Sequence, residues 1–139
     1  MKRTIATAAL FVASHFTTAA VFAQGVKATV PWGFTINDSY VPAGTYTITS
    51  LPTDHLILEV ANRDHKVDIL SMALDGARTA KDNVLVFHKY GDKYFLTEIR
   101  SSTASMELSF PTSKAEKRAR TQTQEAGIPA SGDVVLALY

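Results

Sequence analysis

Apolar and polar residues alternate along much of this chain with the two-residue period of a β-strand. In residues 45–49, Tyr46 and Ile48 are separated by threonines, a pattern typical of a strand with one buried and one solvated face. Similar segments rich in valine, isoleucine, threonine and aromatic residues run from residue 26 to residue 110, separated by clusters of glycine, proline, asparagine and aspartate. This spacing predicts a mainly β fold of antiparallel strands.

The turn residues delimit the individual strands. The predicted strands cover residues 27–36, 45–49, 55–61, 66–72, 84–90, 93–99, 106–110 and 134–139. We expect the first strand to be kinked at Pro31 and Gly33, since proline and glycine interrupt regular strand pairing. Residues 73–82 show no clear period and are predicted to form a loop.

The clearest local unit is the hairpin formed by residues 83–100. The Gly-Asp pair at residues 91–92 suits a two-residue type II′ turn, which sets a register with Val86 opposite Thr97 and puts Leu85 and Ile99 on opposite faces. Apolar side chains occupy both faces, so the hairpin should be buried on both sides. The fold predicted from it is an antiparallel sandwich or a partly closed small barrel.

The period changes to that of a helix after residue 111. Thr112 or Ser113 can cap a helix over about residues 114–125, which are mostly good helix formers. A Gly-Ile-Pro sequence at residues 127–129 ends it. Its predicted apolar stripe consists only of Ala115, Ala119 and Ala126.

The first 23 residues do not fit the β pattern and have the features of a signal peptide. Lys2 and Arg3 precede an apolar run at residues 5–13, and a small-residue cleavage pattern ends at Ala23. The segment is too short and too polar to span a bilayer of about 30 Å. We expect cleavage between Ala23 and Gln24, export to the periplasm or medium, and one β-rich domain over residues 24–139.

Charge and cysteine content narrow the classes of function. Without residues 1–23 the domain has 116 residues, 12 of them Lys or Arg and 13 Asp or Glu, for a net charge of −1. Nucleic acid is therefore not expected as a partner, because its binding domains are usually strongly basic. The chain has no cysteine, which rules out disulfides, thiolate metal sites and a thiol nucleophile and is ordinary for an exported bacterial protein.

Two groups of residues are candidates for chemistry. His88, Tyr90, Asp92 and Tyr94 form the densest polar and aromatic cluster, in which His88 suits a general base or a metal ligand. A packed strand and its turn explain these residues better. His55 and His65 each follow an aspartate and are candidate metal ligands; their placement in a polar turn is the alternative. No standard hydrolase, phosphate-loop or calcium-loop motif is present, and no cofactor is expected.

Three further features are candidates for binding. A run of basic residues on the predicted helix suits an anionic surface or an acidic polysaccharide, although such runs are usually only solvated. Aromatic residues on the early strands can line a sugar- or peptide-binding surface, or simply fill the core. An uncharged, unpaired edge strand would suit association with a second copy or a partner. The basic residues are Lys114, Lys117, Arg118 and Arg120, and the aromatic residues are Trp32, Phe34, Tyr40 and Tyr46.

Three motifs together resemble a known family. They are V-P-W-G-F at residues 30–34, V-P-A-G-T-Y at residues 41–46 and F-H-K-Y-G-D-K-Y-F-L at residues 87–96. The chain resembles a family of small exported, functionally uncharacterised bacterial proteins of the acidobacterial type, which typically read V-P-F-x-F, L-P-A-G-x-Y and F-H-R/K-Y-G-D-x-Y-F-L. It departs from that pattern at Trp32 and Gly33. The resemblance implies export and a β fold, and no catalytic activity.

The sequence favours a non-enzymatic binding or structural module of the cell envelope. An envelope polysaccharide, an anionic surface or a protein partner would be its ligand. The alternative is an exported hydrolase or metal-dependent enzyme that uses His88 and Asp92, with His55 or His65 as further ligands.

The predicted cleavage site gives a direct test. Protein recovered from the periplasm or medium of an expressing bacterium should begin at Gln24 when its intact mass is measured, because Ala23 ends the signal-peptidase pattern. An exported chain that retains Lys2 and Arg3 would contradict both the cleavage site and the localisation.

Overall fold

The computed structural model describes residues 25–62, 64, 66–76, 81–129 and 132–139. The predicted signal segment, with Ala23 and Gln24, lies outside this part of the chain. The described residues form eleven strands and one helix. They are β1 (Gly25–Val30), β2 (Phe34–Ile36), β3 (Ser39–Val41), β4 (Gly44–Leu51), β5 (Asp54–Asn62), β6 (Val67–Met72), β7 (Leu74–Asp75), β8 (Asn83–Tyr90), β9 (Lys93–Ser101), β10 (Met106–Ser109), α1 (Lys114–Glu125) and β11 (Asp133–Ala137).

The strands form two sheets, which confirms the predicted sandwich with one C-terminal helix. The first sheet has the order β1-β4-β5-β6 and the second the order β11-β8-β9-β10-β7. The short β2–β3 hairpin joins the second sheet through one parallel bridge between Thr35 and Phe95. The other pairings are antiparallel.

The two sheets are connected at both sides, so the sandwich is also a partly closed barrel. On one side only Ala73 separates β6 from β7, and the chain passes there from the first sheet to the second. On the other side the Tyr139 amide donates to the Lys27 carbonyl at 3.0 Å, which attaches the end of the chain to β1. This linkage shields part of the edge that β1 would otherwise expose.

The main core lies between the sheets. Tyr46 and Ile48 are fully buried, whereas Thr47 between them is exposed, as the alternation predicts. The Tyr46 hydroxyl donates to the Pro42 carbonyl at 2.5 Å, so the most polar atom of this core residue has a partner. Phe34 packs edge-on against both Tyr46 and Phe87, which joins the two sheets at the centre.

The β8–β9 hairpin has the predicted turn but a different register. Phe87 lies opposite Leu96, as expected, whereas Val86 lies opposite Glu98 and not Thr97. Thr97 is therefore the extra residue of a β-bulge, and its hydroxyl donates to the Val86 carbonyl at 3.0 Å. The bulge turns Ile99 onto the same face as Leu85, and the two side chains are fully buried in the core. The prediction that they lie on opposite faces is wrong.

The predicted strand ends differ from the observed ones by one or two residues, and two predicted elements differ more. The first strand was expected to run over residues 27–36 with a kink. It is instead divided into β1 and β2, because Pro31 and Gly33 interrupt the strand pairing. The predicted loop at residues 73–82 includes the short strand β7, since Leu74 and Asp75 pair with β10. A two-residue strand carries too little alternation to be recognised from sequence.

The helix is confirmed over Lys114–Glu125, with Ser113 as its N-cap. Its buried face differs from the prediction. Glu116, Ala119 and Thr123 are buried, whereas Ala126 is exposed. The spacing of three and four residues between the buried positions is that of one helix face, and this face has a carboxylate where the sequence suggested alanines.

The β8–β9 turn provides a stability test. Gly91 has φ of +62° and open space where a Cβ would lie, whereas Gly132 has equally open surroundings without a positive φ. Gly91→Val should lower the free energy of unfolding by about 1 kcal/mol or more, because a β-branched residue resists positive φ. Denaturant unfolding measures the change, and Gly132→Val is the matched control. Equal stability of the two variants would exclude the proposed turn.

Candidate functional site

A buried carboxylate at the start of α1 organises the polar residues on the outer face of the second sheet. The Glu116 amide donates to the Ser113 hydroxyl at 3.1 Å, which fixes the first turn of the helix. In a capping box the glutamate side chain would return to the cap residue. Here it points into the protein and contacts β8, and Glu116 is only 4% exposed.

His88 lies between two carboxylates from different elements. Its Nδ1 is 2.6 Å from Glu116 Oε1, and its Nε2 is 3.3 Å from Asp133 Oδ1 on β11. Neutral imidazole has one N–H, so only the imidazolium form can donate to both carboxylates. His88 therefore joins α1, β8 and β11 through one side chain.

Tyr90 supplies a second donor to the same carboxylate. Its hydroxyl donates to Glu116 Oε1 at 3.1 Å. Burial raises the pKa of Tyr90 most, and the negative charge of Glu116 and the hydrogen bond to it raise this pKa further. Arg120 opposes the shift by lowering the pKa. The phenol consequently stays protonated at neutral pH and remains a donor.

Of the predicted cluster, the structure brings together His88 and Tyr90, but not Asp92 or Tyr94. Tyr94 points to the other face of the hairpin, where it stacks on Trp32 with ring centroids 4.6 Å apart. The Lys89 ammonium lies 5.3 Å from the Tyr94 ring centroid. Asp92 belongs to the turn. The partners of His88 are instead Glu116, Asp133 and the Tyr90 ring.

This arrangement is better suited to holding elements together than to proton transfer. Both nitrogens of His88 face carboxylates, and within the described part of the chain its contacts include no hydroxyl nucleophile. A general base needs a free nitrogen within reach of the proton that it removes. In the observed geometry Nδ1 is bonded to Glu116, and Nε2 faces the exposed carboxylate of Asp133 at 3.3 Å.

The predicted metal ligands are also not assembled into a site. His55 Nε2 lies 3.0 Å from Asp75 Oδ1, and both side chains are mostly exposed. Asp54 accepts a hydrogen bond from the Leu56 amide at 2.9 Å, so it serves a local turn. His65 lies outside the described residues. Within the described ranges no three histidine, aspartate or glutamate side chains are placed to hold a metal ion.

An aromatic cleft lies at the turn end of the β8–β9 hairpin. Trp32 stacks on Tyr94 and packs edge-on against Phe87. Tyr40 is 72% exposed, and its hydroxyl lies over Gly33, where any Cβ would collide with it. The cleft has a volume of about 440 Å³. It is lined by Trp32, Gly33, Phe34, Thr35, Tyr40, Asp92, Lys93, Tyr94, Phe95 and Ala115.

The cleft contains only part of the predicted aromatic surface. Phe34 and Tyr46 are core residues, whereas Trp32 is partly buried and Tyr40 is open to solvent. Trp32 Nε1 is buried and has no hydrogen-bond partner in the described structure. Unsatisfied buried indole nitrogens are uncommon.

The predicted basic run forms the outer face of α1. Lys114, Lys117, Arg118 and Arg120 are all exposed, and the buried acid Glu116 does not neutralise them at the surface. Lys114, Lys117 and Arg118 form a cationic strip that points away from the sheet, whereas Arg120 lies near enough to Tyr90 to lower the pKa of its phenol. The strip is physically distinct from the aromatic cleft, although Ala115 at the start of the helix lines one wall of the cleft.

Comparison with protein-family models, with curated proteins and with solved structures gives no match for this chain. The function is therefore argued from geometry and chemistry. Within the described part of the chain, α1 is the only helix, and it does not meet the length and apolarity needed to cross a membrane.

Sequence reasoning missed Glu116 and Asp133, the two carboxylates around His88. A signal for Glu116 was present, because Ser113 and Glu116 have the S-x-x-E spacing of a capping box, which indicates a special position. Nothing local predicts Asp133, since only the pairing of β11 with β8 places it opposite His88.

Glu116 should be the most sensitive charged position on α1. Glu116→Ala should lower the free energy of unfolding by about 2 kcal/mol, because it removes two hydrogen bonds from a buried carboxylate and leaves His88 and Tyr90 without that acceptor. Denaturant unfolding measures the loss. Glu125→Ala, at an exposed position of the same helix, is the control and should have little effect. Equal effects of the two substitutions would show that Glu116 does not anchor the helix.

Proposed function

We propose that this protein is an exported, non-enzymatic binding module of the cell envelope whose aromatic cleft holds a polysaccharide chain. The observation that carries this proposal is the exposed Tyr40 ring beside the stacked Trp32 and Tyr94 rings. A soluble domain seldom leaves an aromatic ring open to solvent next to other aromatic side chains unless the surface has a use.

The chemistry of the cleft supports a sugar ligand. A pyranose ring has an apolar face of C–H groups, which packs on aromatic rings, and an edge of hydroxyls, which needs donors and acceptors. The cleft offers Tyr40 and Trp32 for the face, and Asp92, Lys93 and Thr35 for the hydroxyls. A few polar groups around an apolar surface are the usual composition of a small-molecule site.

The position of Tyr40 is fixed before any ligand binds. Gly33 leaves the space that the Tyr40 hydroxyl occupies, and the β2–β3 hairpin holds the backbone on both sides of the ring. A preorganised ring loses little conformational entropy on binding. Trp32 is likewise held by its contacts with Tyr94 and Phe87.

Export rests on the amino-terminal pattern of the sequence. A basic start, an apolar run and a small-residue cleavage site are the features of a secreted precursor, and the absence of cysteine suits a bacterial envelope. The resemblance to a family of small exported proteins of the acidobacterial type supports the same location.

The hydrolase or metal-enzyme alternative has weaker support. The residues that it needs are divided between two surfaces, with His88 under α1 and Asp92 and Tyr94 at the cleft. His88 also has carboxylates at both nitrogens. Binding without catalysis requires neither an unpaired histidine nor a nucleophile.

A ligand panel tests this proposal. Thermal unfolding of the purified protein should shift upward with envelope polysaccharides or peptidoglycan fragments, since a ligand that binds only the native state must stabilise it. Tyr40→Ala should weaken binding by about tenfold or more, measured by calorimetry. Tyr139→Ala is the control, because Tyr139 is similarly exposed at 69% and is not a cleft residue.

The same panel separates the alternatives. A shift with anionic lipid vesicles that is lost when Lys117 and Arg118 become glutamine would assign binding to α1 and contradict the cleft. A shift with divalent metals that is lost in His88→Gln would favour the enzyme. Equal saccharide affinity of Tyr40→Ala and Tyr139→Ala would likewise overturn the proposal.

A further inference from the structure

The strand β6 forms an edge of the first sheet that the rest of the described chain leaves open. It pairs with β5 on one side only, and beyond Ala73 the chain moves into the second sheet as β7. The opposite edge strand, β1, is different, since Tyr139 donates to the Lys27 carbonyl there. Exposed strand edges present unpaired amides and carbonyls to other strands.

The pairing pattern shows which backbone groups of β6 are directed outward. The Ala73 amide donates to the Leu56 carbonyl at 2.8 Å, toward β5. Successive residues of a strand direct their hydrogen-bonding groups to alternate sides. Ser71, Ile69 and Val67 therefore face β5, whereas Asp68, Leu70 and Met72 face away from it.

The unpaired part of the β6 edge is limited at both ends. At one end the Asn37 side chain donates to the Met72 carbonyl at 3.1 Å and to the Ser71 hydroxyl at 2.7 Å. At the other end Lys66, with φ of +52°, is the last turn residue before β6. Between them, the outward amides and carbonyls of Asp68 and Leu70 have no hydrogen-bond partner among the residues that the structure describes.

Apolar side chains cover the solvent face beside this edge. Leu70 and Met72 are each 66% exposed, and Leu74 is 52% exposed. Ile57 on β5 lies opposite Met72 and extends the apolar surface by one strand. Leu70 and Met72 are two successive outward positions of β6, and large apolar side chains are unusual on an open edge strand, where charged residues normally prevent pairing. Asp68 is the only charged residue of β6.

We propose that β6 pairs antiparallel with β6 of a second copy, about a two-fold axis that passes beside Ile69. In this register Asp68 of each copy lies opposite Leu70 of the other, and each such pair exchanges two hydrogen bonds. Four hydrogen bonds form, and they use all four of the open groups. The two first sheets then become one continuous eight-stranded sheet.

A second copy fits because the edge is self-complementary in length, hydrogen bonding and side chains. Hydrogen bonding between the two copies ends before Met72, so Asn37 keeps its hydrogen bonds to Ser71 and Met72. The register brings the Leu70 side chains of the two copies together across the axis and puts Lys66 of one copy opposite Met72 of the other. The two Asp68 carboxylates lie on the other diagonal, about 7–8 Å apart, which costs little at a solvated surface.

The dimer should be weak because its edge is short. Two pairs of residues and one apolar stripe bury less surface than a standard stable interface, so we expect dissociation at about 10–100 µM. Asp68→Asn should tighten the dimer by roughly twofold, since it removes the repulsion across the axis.

Sedimentation velocity of the purified protein over a wide range of concentration tests the proposal. The wild type should change from monomer to dimer as concentration rises. Leu70→Pro should remain a monomer, because it removes an amide donor that only the second copy uses. Leu70→Asp should also remain a monomer, because each new carboxylate lies directly opposite Asp68 of the other copy. Each variant is checked for an unchanged circular dichroism spectrum. Leu74→Asp, at an exposed position on β7 of the second sheet, is the matched control and should still dimerise.

A cross-linking experiment checks the register. The chain has no cysteine, and the axis puts Ile69 of the two copies opposite each other at the separation of a non-hydrogen-bonded pair, within disulfide range. Ile69→Cys should form a covalent dimer on mild oxidation, whereas Thr47→Cys, exposed on the same sheet but distant from its edge, should not. A monomeric wild type at every concentration, dimers of Leu70→Pro and Leu70→Asp like those of the wild type, or equal cross-linking of the two cysteine variants would each overturn the proposal.

Discussion

The β8–β9 hairpin has to bury both of its faces, and the rest of the structure is arranged around that constraint. On one face Leu85, Phe87 and Ile99 enter the core between the sheets. On the other face Val86 and Phe95 are buried on the side that carries α1. A regular strand pair would have directed Ile99 outward. The bulge at Thr97 turns Ile99 into the core, while the apolar residues between the bulge and the turn keep their regular pairing register.

The packing of α1 on the second sheet depends on a polar contact. The helix buries Ala119 and Thr123, which provide little apolar area, so packing alone gives α1 a weak hold on the sheet. Glu116 adds two hydrogen bonds, from His88 and Tyr90. A buried carboxylate is costly unless it is fully paired. Because these partners have fixed positions on β8, the contact also specifies where the helix sits.

The proposed binding cleft and the proposed dimer edge lie on different parts of the molecule. The cleft is built by the β2–β3 hairpin, the β8–β9 turn and the start of α1, whereas the open edge belongs to β6 at the end of the first sheet. Asn37 is the nearest link between them, since it follows β2 and caps Met72.

Local sequence patterns determined most of the elements. Alternation predicted the strands, Gly91 predicted the tight turn, and the change of period after residue 111 predicted α1 with its cap at Ser113. These features depend on neighbours in the chain, through φ preferences, capping and side-chain direction. The candidate chemistry was less accessible, because His88, Asp92 and Tyr94 are close in sequence but point to different faces.

What the tertiary structure decided is the set of contacts between distant segments. The pairing of β11 with β8 brings Asp133 to His88, and the docking of α1 turns Glu116 inward. The departure of β7 into the second sheet leaves β6 as an open edge. The residues of a strand or helix set its own period of buried and exposed positions. Which other element packs against it depends on how the whole chain buries its apolar surface. The residues that join the layers are therefore identified only when the layers are in place.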